Sequence, residues 1–135
     1  MLDTGGWLHA LAGIEPYATA LGQARPAVVP GLVLAEVDWH LRHHRSDMHR
    51  LLSEIAAGAY VYEPATAADI ARAKEIDRKF HDLELGLVDA SIAALAERLD
   101  VYDLLTTDRD FVAVRMGRGW RKAMALAVPL TGRRS

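Results

Sequence analysis

The stretch Leu104-Leu105-Thr106-Thr107-Asp108-Arg109-Asp110-Phe111 decides the fold. Its leucines and threonines are typical of a short buried strand, which the charged Asp-Arg-Asp sequence then ends abruptly. In an open α/β sheet, ligands bind just beyond the carboxyl ends of the strands. Asp108 is therefore a candidate for chemistry, although taken alone the simpler interpretation is an aspartate that caps or turns the chain.

Length and composition predict one globular domain that spans residues 1–135. Hydrophobic residues make up 51% of the chain and charged residues 25%, which allows both a core and a solvated surface. The absence of cysteine excludes disulfides, thiolate catalysis and cysteine-ligated metal sites. No apolar run approaches the ~20 residues of a membrane span, and a signal-peptide pattern is missing. We therefore expect a cytoplasmic protein with no membrane partner.

Although the net charge of the chain is −2, its basic residues are concentrated in two regions. Residues 115–135 contain six basic residues and no acidic one, and residues 40–50 contain three arginines and four histidines against one aspartate. Such patches permit contact with a polyanion, but ordinary solvated surface also explains them. His40 and His44 are one helical turn apart and could bind zinc, yet a third ligand is not obvious and the flanking arginines disfavour a cation.

Strands alternate with helices along the chain, which predicts an α/β, three-layer fold with a short, mainly parallel central sheet flanked by helices. Strands are expected at residues 1–3, 27–30, 60–62, 104–107 and 125–128. Helical segments are expected at residues 7–11, 15–24, 31–45, 46–58, 67–80 and 87–99, and loops at residues 81–86 and 115–122. Thr66 is the expected N-cap of the segment 67–80, and Ser46 or Asp47 that of the segment 46–58.

Four acidic residues lie where such a sheet would gather them. Asp3 and Asp108 follow predicted strands, whereas Glu36 and Asp89 lie near helix starts beside apolar or small neighbours. The carboxyl end of a parallel strand and the start of the next helix share one edge of the sheet, so the four side chains could converge there. The simpler interpretations are a Glu36–His40 pair and a helix-capping role for Asp89.

Four ionised carboxylates in one place repel one another strongly unless a cation joins them. Hard oxygen ligands select Mg²⁺ or Mn²⁺ over zinc. In such a cluster the metal can activate water and shield a phosphate, which suits in-line phosphoryl chemistry. The acidic pattern therefore indicates a metal-dependent reaction at a phosphate.

The ordered motifs Asp3-Thr4, Leu34-Ala35-Glu36-Val37, Val88-Asp89-Ala90 and Thr106-Thr107-Asp108-Arg109-Asp110-Phe111 resemble a PIN domain. The short chain is similar to the VapC toxins of bacterial toxin–antitoxin pairs, and the resemblance covers essentially its whole length. It implies an Mg²⁺- or Mn²⁺-dependent endoribonuclease that acts on tRNA, rRNA or mRNA. It also implies a homodimer that a protein antitoxin neutralises.

The resemblance assigns catalysis and metal binding to Asp3, Glu36, Asp89 and Asp108, with Asp110 as a further metal ligand. Thr4 and Thr107 are the supporting hydroxyl residues, Thr107 because it precedes the last acid. Gly5 departs from the family, which commonly has Ser there, and Thr4 is its only local substitute. The first strand is also shorter than usual, which would fit a true start upstream of Met1.

Aromatic and basic residues are the expected RNA contacts. Trp120 lies in a basic loop and is the preferred stacking residue, whereas Trp7 and Trp39 are expected to pack in the core or at an interface. The basic contacts are expected to be Arg109, Arg118 and Arg121.

Two other functions stay open. A non-catalytic binding or regulatory module could keep the fold and the acids, and loss of RNA cleavage with EDTA would separate it from an enzyme. A receiver-type phosphoacceptor domain would need two adjacent acids after the first strand and a lysine near the last strand. Asp3 stands alone and the only late lysine is Lys122, so this third function is disfavoured.

Overall fold

The structure of the chain is a computed structural model that describes residues 1–130, so the basic residues Arg133 and Arg134 lie outside it. The helices are α1 (Thr4–Leu11), α2 (Tyr17–Gln23), α3 (Gly31–His40), α4 (Arg45–Ala56), α5 (Ala67–Lys79) and α6 (Gly86–Leu99). The strands are β1 (Val28–Pro30), β2 (Val61–Glu63), β3 (Asp103–Leu104), β4 (Arg115–Met116), β5 (Lys122–Ala123) and β6 (Ala125–Leu126). The predicted α/β class is confirmed.

Residues 1–3 form the middle of a short parallel sheet. Leu2 donates its backbone N–H to the Val28 carbonyl oxygen at 2.9 Å, and on its other side it forms a parallel bridge with Leu105. Further from the centre of the sheet, β1 pairs in parallel with β2 on one side, and β3 pairs in parallel with β6 on the other. The order across the sheet is therefore β2, β1, residues 1–3, β3 and β6, which confirms the prediction of a short, mainly parallel sheet.

Helix α6 is the most deeply buried helix. Its residues 90–96 are all buried, and four of the seven are alanines, whose small side chains let neighbours approach closely. A helix that is apolar all round must be covered on every side. Helix α5 packs along it, and Asp69 near the start of α5 pairs with Arg98 near the end of α6 at 3.0 Å, so the two helices run antiparallel.

Local capping explains where α5 begins. Thr66 accepts the Asp69 backbone N–H at 3.1 Å, and the Asp69 carboxylate accepts the Thr66 backbone N–H at 2.9 Å. This reciprocal capping box satisfies two backbone donors that a helix start otherwise leaves without partners. The predicted N-cap at Thr66 is confirmed.

The segment predicted as one helix over residues 31–45 is wrong at its end. Helix α3 ends at His40, and α4 begins at Arg45 with His44 as its N-cap, not Ser46 or Asp47. No proline or glycine marks this break in the sequence. The change of direction follows from tertiary packing, because it buries Met48 and Leu51 of α4 in the core.

The predicted loop over residues 115–122 is also wrong in part. Strands β4 and β5 pair antiparallel around a 3-10 turn, Arg118–Trp120, and Gly117 and Gly119 take positive φ angles of 75° and 68° there. Glu97 of α6 accepts the Gly117 backbone N–H and holds the hairpin to the core. The remaining boundaries shift by a few residues; the strand predicted over residues 104–107, for example, continues past β3 only as the bridge at Leu105.

No helix within residues 1–130 is both long enough and apolar enough to cross a membrane.

Candidate active site

Asp3 is the most firmly held of the predicted acids. It ends the central segment of the sheet and is the N-cap of α1, with only 5% of its surface exposed. One carboxylate oxygen accepts the Thr4 backbone N–H at 2.8 Å, and the other accepts the Thr106 hydroxyl at 2.6 Å. Burial raises the pKa of Asp3; these two hydrogen bonds oppose that rise, and the charges of Asp108 and Glu36 add to it.

Thr106 connects two of the acids, a role that sequence reasoning did not assign. Its fully buried hydroxyl donates to Asp3 Oδ2 and accepts the Asp108 backbone N–H at 2.9 Å. The sequence contains a signal for this role, because alternate residues of a strand share a face and Thr106 therefore shares the face of Asp108. The prediction chose Thr107 instead.

Thr106→Val removes this connection without changing the shape of the side chain. Asp3 would lose its hydroxyl donor and the Asp108 N–H its acceptor, which should cost about 1–3 kcal/mol of the free energy of unfolding. Thr106→Ser keeps the hydroxyl and serves as the matched control. Urea denaturation of the three proteins measures the difference, and equal stability of the valine and serine variants would contradict the assigned role.

Thr107 lies beside Gly5, where the chain departs from the family pattern. A Cβ atom on residue 5 would overlap Thr107 Oγ1, so the missing side chain at Gly5 leaves the space that this hydroxyl occupies. Both residues lie at the edge of the acidic group, because Gly5 follows Thr4 in the first turn of α1 and Thr107 precedes Asp108. The supporting role predicted for Thr107 stays a prediction.

Glu36 joins the group from α3. It is exposed, and its Oε1 accepts the Thr4 hydroxyl at 2.5 Å, which brings the predicted supporting residue Thr4 into the site. Across residues 1–130 there is no ion pair between Glu36 and His40, so the simpler interpretation of Glu36 is wrong. The His40 ring instead packs against the Trp39 ring in a T-shaped arrangement, with the ring centroids 5.4 Å apart.

Asp89 and Asp108 are direct neighbours. Asp108 is the N-cap of a 3-10 turn, Arg109–Val112, and its Oδ1 accepts the Asp110 backbone N–H at 2.9 Å. Burial raises the pKa of Asp89 to about 8, with further contributions from the charges of Asp3 and Asp108, a hydrogen bond with Asp108 and the charge of Glu36. The charges of the other three acids all raise the pKa of Asp89, so the four predicted acids lie in one group.

The chemistry of this donor set fits a hard divalent cation, since carboxylate oxygens are the ligands that Mg²⁺ and Mn²⁺ prefer. Within the part of the chain that the structure describes, no three carboxylate or imidazole groups form a ready-made set of ligands for one ion. The acids are thus close neighbours rather than a preformed ligand shell. A proton on Asp89 lowers their repulsion in the metal-free protein.

The raised pKa of Asp89 predicts how stability depends on pH. In the metal-free protein Asp89 does not lower the stability of the fold below about pH 4, where its carboxyl group is protonated in both the folded and the unfolded chain. As the pH rises from about 4 towards 8 the free energy of unfolding falls, because the unfolded chain releases this proton while the folded protein retains it. Asp89→Asn cannot ionise and should therefore unfold at higher urea concentrations than wild type at pH 8 in EDTA. At pH 4 the two proteins should match. A variant that is less stable at pH 8 would indicate that the main role of Asp89 is helix capping.

The predicted basic contacts are all exposed. Arg109 follows Asp108 directly and lies at the edge of the acidic group, whereas Arg118 and Arg121 belong to the hairpin after β4. None of the three forms a salt bridge with a carboxylate among residues 1–130. Their contact with RNA stays a prediction.

Two of the three tryptophans are placed by packing. Trp7 is fully buried, as predicted. Trp120 is partly buried; its ring makes a T-shaped contact with the Phe80 ring, and the guanidinium of Arg72 lies 4.4 Å from its centroid. These contacts with α5 and its C-cap account for its position without RNA, so a role in stacking stays a prediction. Trp39 is 60% exposed, so the core position expected for it is wrong, whereas a position at an interface between chains stays a prediction.

A sequence model of the PIN domain matches residues 1–116. The chain belongs to the PIN-domain family. Ribonuclease VapC26 of Mycobacterium tuberculosis (strain ATCC 25618 / H37Rv) is 32% identical over 129 residues, covering 90% of this chain and 96% of that protein. This match confirms the predicted assignment to the PIN-domain ribonucleases of the VapC type.

The PIN fold itself is supported by a solved structure. The crystal structure of Mycobacterium tuberculosis VapC20, a sarcin-ricin loop cleaving toxin, superposes with a TM-score of 0.67 at 23% identity. The superposition covers 83% of this chain and 92% of that one. At this level of identity the likeness shows that the two chains share the PIN fold.

Proposed function

We propose that this PIN domain hydrolyses RNA phosphodiester bonds with the help of Mg²⁺ or Mn²⁺ bound by Asp3, Glu36, Asp89 and Asp108, with Asp110 as a further ligand. The observation that carries the proposal is the convergence of the four acids from separate segments. Hydrogen bonds through Thr106 link Asp3 to Asp108, and Thr4 links Asp3 to Glu36. The relationship to Ribonuclease VapC26 supports RNA as the substrate.

Each of the four acids would have a different role in binding the cation and the RNA. Asp3 is buried and fixed by two donors, so it would hold one side of the site rigid. Glu36 is exposed and can adjust its position to a cation or a phosphate. Asp89, whose pKa is raised, would give up its proton when a cation binds beside it and Asp108. A bound divalent cation supplies charge that stabilises the attacked phosphate and lowers the pKa of water.

Metal removal tests this proposal. Cleavage of total cellular RNA should stop in EDTA and return when Mg²⁺ or Mn²⁺ is added in excess. Either ion at ten times its Kd should also stabilise the fold by about 1.4 kcal/mol, or roughly 3–7 °C in melting temperature. Cleavage that continues in EDTA, or a melting temperature that ignores both ions at millimolar levels, would contradict the proposed site. A metal-dependent stabilisation without cleavage would favour the non-catalytic binding module.

We further propose that the protein is a homodimeric, cytoplasmic toxin that a protein antitoxin neutralises. An arginine of the antitoxin could bind the metal-free carboxylates through its two-pronged guanidinium and so exclude the cation. Replacing that arginine with alanine should weaken inhibition of RNA cleavage. Inhibition that survives the change undiminished would mean that the antitoxin blocks the site in another way.

We also infer that the whole chain is one domain of 135 residues. The PIN match ends at residue 116, yet β6 pairs with β3 of the central sheet and Val128 is buried in the core. Segments that share a sheet and a core fold together. Limited proteolysis should therefore yield no stable fragment ending near residue 116.

A further inference from the structure

Trp39 is the one tryptophan of this chain that is mostly exposed. Its side chain is 60% exposed, whereas Trp7 is fully buried and Trp120 is partly buried against α5. An indole ring carries a large apolar surface, and leaving it in water gives up the stabilisation that burial would supply. The exposed Trp39 ring therefore offers a large apolar face to a ligand.

The ring lies one helical turn from the acidic group. Trp39 follows Glu36 by three residues on α3, and side chains three residues apart on a helix are neighbours, with Cβ atoms about 5–6 Å apart. Glu36 is tied to the site through the Thr4 hydroxyl at 2.5 Å. An RNA strand whose phosphate reached the carboxylates would thus place an adjoining nucleotide near Trp39.

A cation covers one face of the Trp39 ring. The Arg42 guanidinium carbon lies 3.7 Å from the ring centroid, and Arg42 Nη1 donates to the Trp39 carbonyl oxygen at 2.9 Å, so the stack is held in place. Arg42 forms no salt bridge with a carboxylate in residues 1–130, whereas nearby Arg45 is paired with Asp38 at 2.8 Å. The charge of Arg42 is therefore available to an anion.

The surroundings of the ring favour RNA over protein as the occupant. Exposed polar and cationic side chains, His40, Arg42 and His43, follow Trp39 on the surface. Trp and Arg also occur in protein interfaces, but the centre of such an interface is depleted of charged residues, unlike the cluster of cationic and imidazole side chains here. An aromatic ring combined with an arginine is the arrangement that binds unpaired bases in single-stranded nucleic acids.

We propose that Trp39 and Arg42 form a platform on which an unpaired base next to the scissile phosphate stacks, with Arg42 contacting the RNA backbone. This inference rests on the proposed ribonuclease function and adds to it the residue pair that orients the RNA strand beside the acidic group. The platform would bind through stacking and charge, so it tolerates any base and orients the strand rather than reading its sequence.

The test is binding of a labelled 12-nucleotide single-stranded RNA in EDTA, followed by fluorescence anisotropy. Trp39→Ala should raise the Kd by roughly 5- to 150-fold, and Trp39→Phe should keep most of the affinity because it preserves a ring. The same RNA annealed to its complement is the matched control ligand, since its bases already stack within the duplex. Trp39→Ala should leave duplex binding and the melting temperature unchanged, because the ring is mostly exposed.

If Trp39→Ala lost affinity equally for the single strand and the duplex, or lost affinity for neither, the proposed platform would be overturned. Unchanged RNA affinity together with an altered oligomeric state of the Trp39→Ala variant in sedimentation would also overturn it, and would make the ring part of a protein interface. Cleavage of total cellular RNA by the wild-type protein with Mg²⁺ separates the two proposals. Cleavage without Trp39-dependent binding contradicts only the platform, and Trp39-dependent binding without cleavage contradicts only the proposed activity.

Discussion

Asp108→Asn is expected to lower the rate of RNA cleavage by at least about 100-fold at saturating Mg²⁺, since even groups that merely support metal ligands cost 10–100-fold when they are lost. The substitution removes one negative charge and leaves the size of the side chain unchanged. It also keeps an oxygen that can accept the Asp110 backbone N–H, so the 3-10 turn should persist. The corresponding amides at the other three acids, Asp3→Asn, Glu36→Gln and Asp89→Asn, should have effects of the same order.

Asp100→Asn is the matched control for this experiment. Asp100 is exposed at the end of α6 in the left-handed conformation, with φ of 54°, which asparagine adopts readily. Its cleavage rate should equal that of the wild-type protein. If Asp108→Asn or Asp89→Asn cleaves RNA as fast as this control, the assignment of the site is wrong.

Gly6→Ala is expected to have the largest effect on folding. A Cβ atom on residue 6 would lie 2.5 Å from the Leu105 carbonyl carbon and 2.7 Å from the Thr106 nitrogen, and both belong to the backbone. Helix α1 could make room only by leaving the strand, which would break the Asp3 N–H to Leu105 hydrogen bond. Overpacking a core costs about 1–3 kcal/mol and occasionally more, and we expect at least the upper value against rigid backbone.

A loss of ~3 kcal/mol corresponds to roughly 10 °C in melting temperature for a chain of this length. Gly22→Ala is the control, because Gly22 lies within α2 and a Cβ there would meet nothing within 4 Å. Alanine in a helix is favoured over glycine by about 0.5–1 kcal/mol, so this variant should melt slightly higher than wild type. A Gly6→Ala protein that melts like wild type would show that α1 is free to move away from the strand.

The fold class follows from patterns among residues that are neighbours in the sequence. The period of apolar residues and the capping signal at Thr66 are properties of neighbouring residues, and the structure has the predicted parallel sheet and the predicted N-cap at Thr66. The break between α3 and α4 was missed because residues 41–44 contain no helix breaker. Burial of Met48 in the core, not local preference, determines that break.

The sequence by itself determined the fold class and that Asp3 and Asp108 follow strands of the sheet, because parallel strands bring their carboxyl ends to one edge. Glu36, predicted near a helix start, lies in the middle of α3. Only the tertiary structure decided that Thr106 rather than Thr107 connects Asp3 to Asp108, and that Trp39 faces the solvent. These facts depend on distances between segments that lie far apart in the chain. A hydroxyl gains its role from the group that it meets, and a tryptophan is buried only if another segment arrives to cover it.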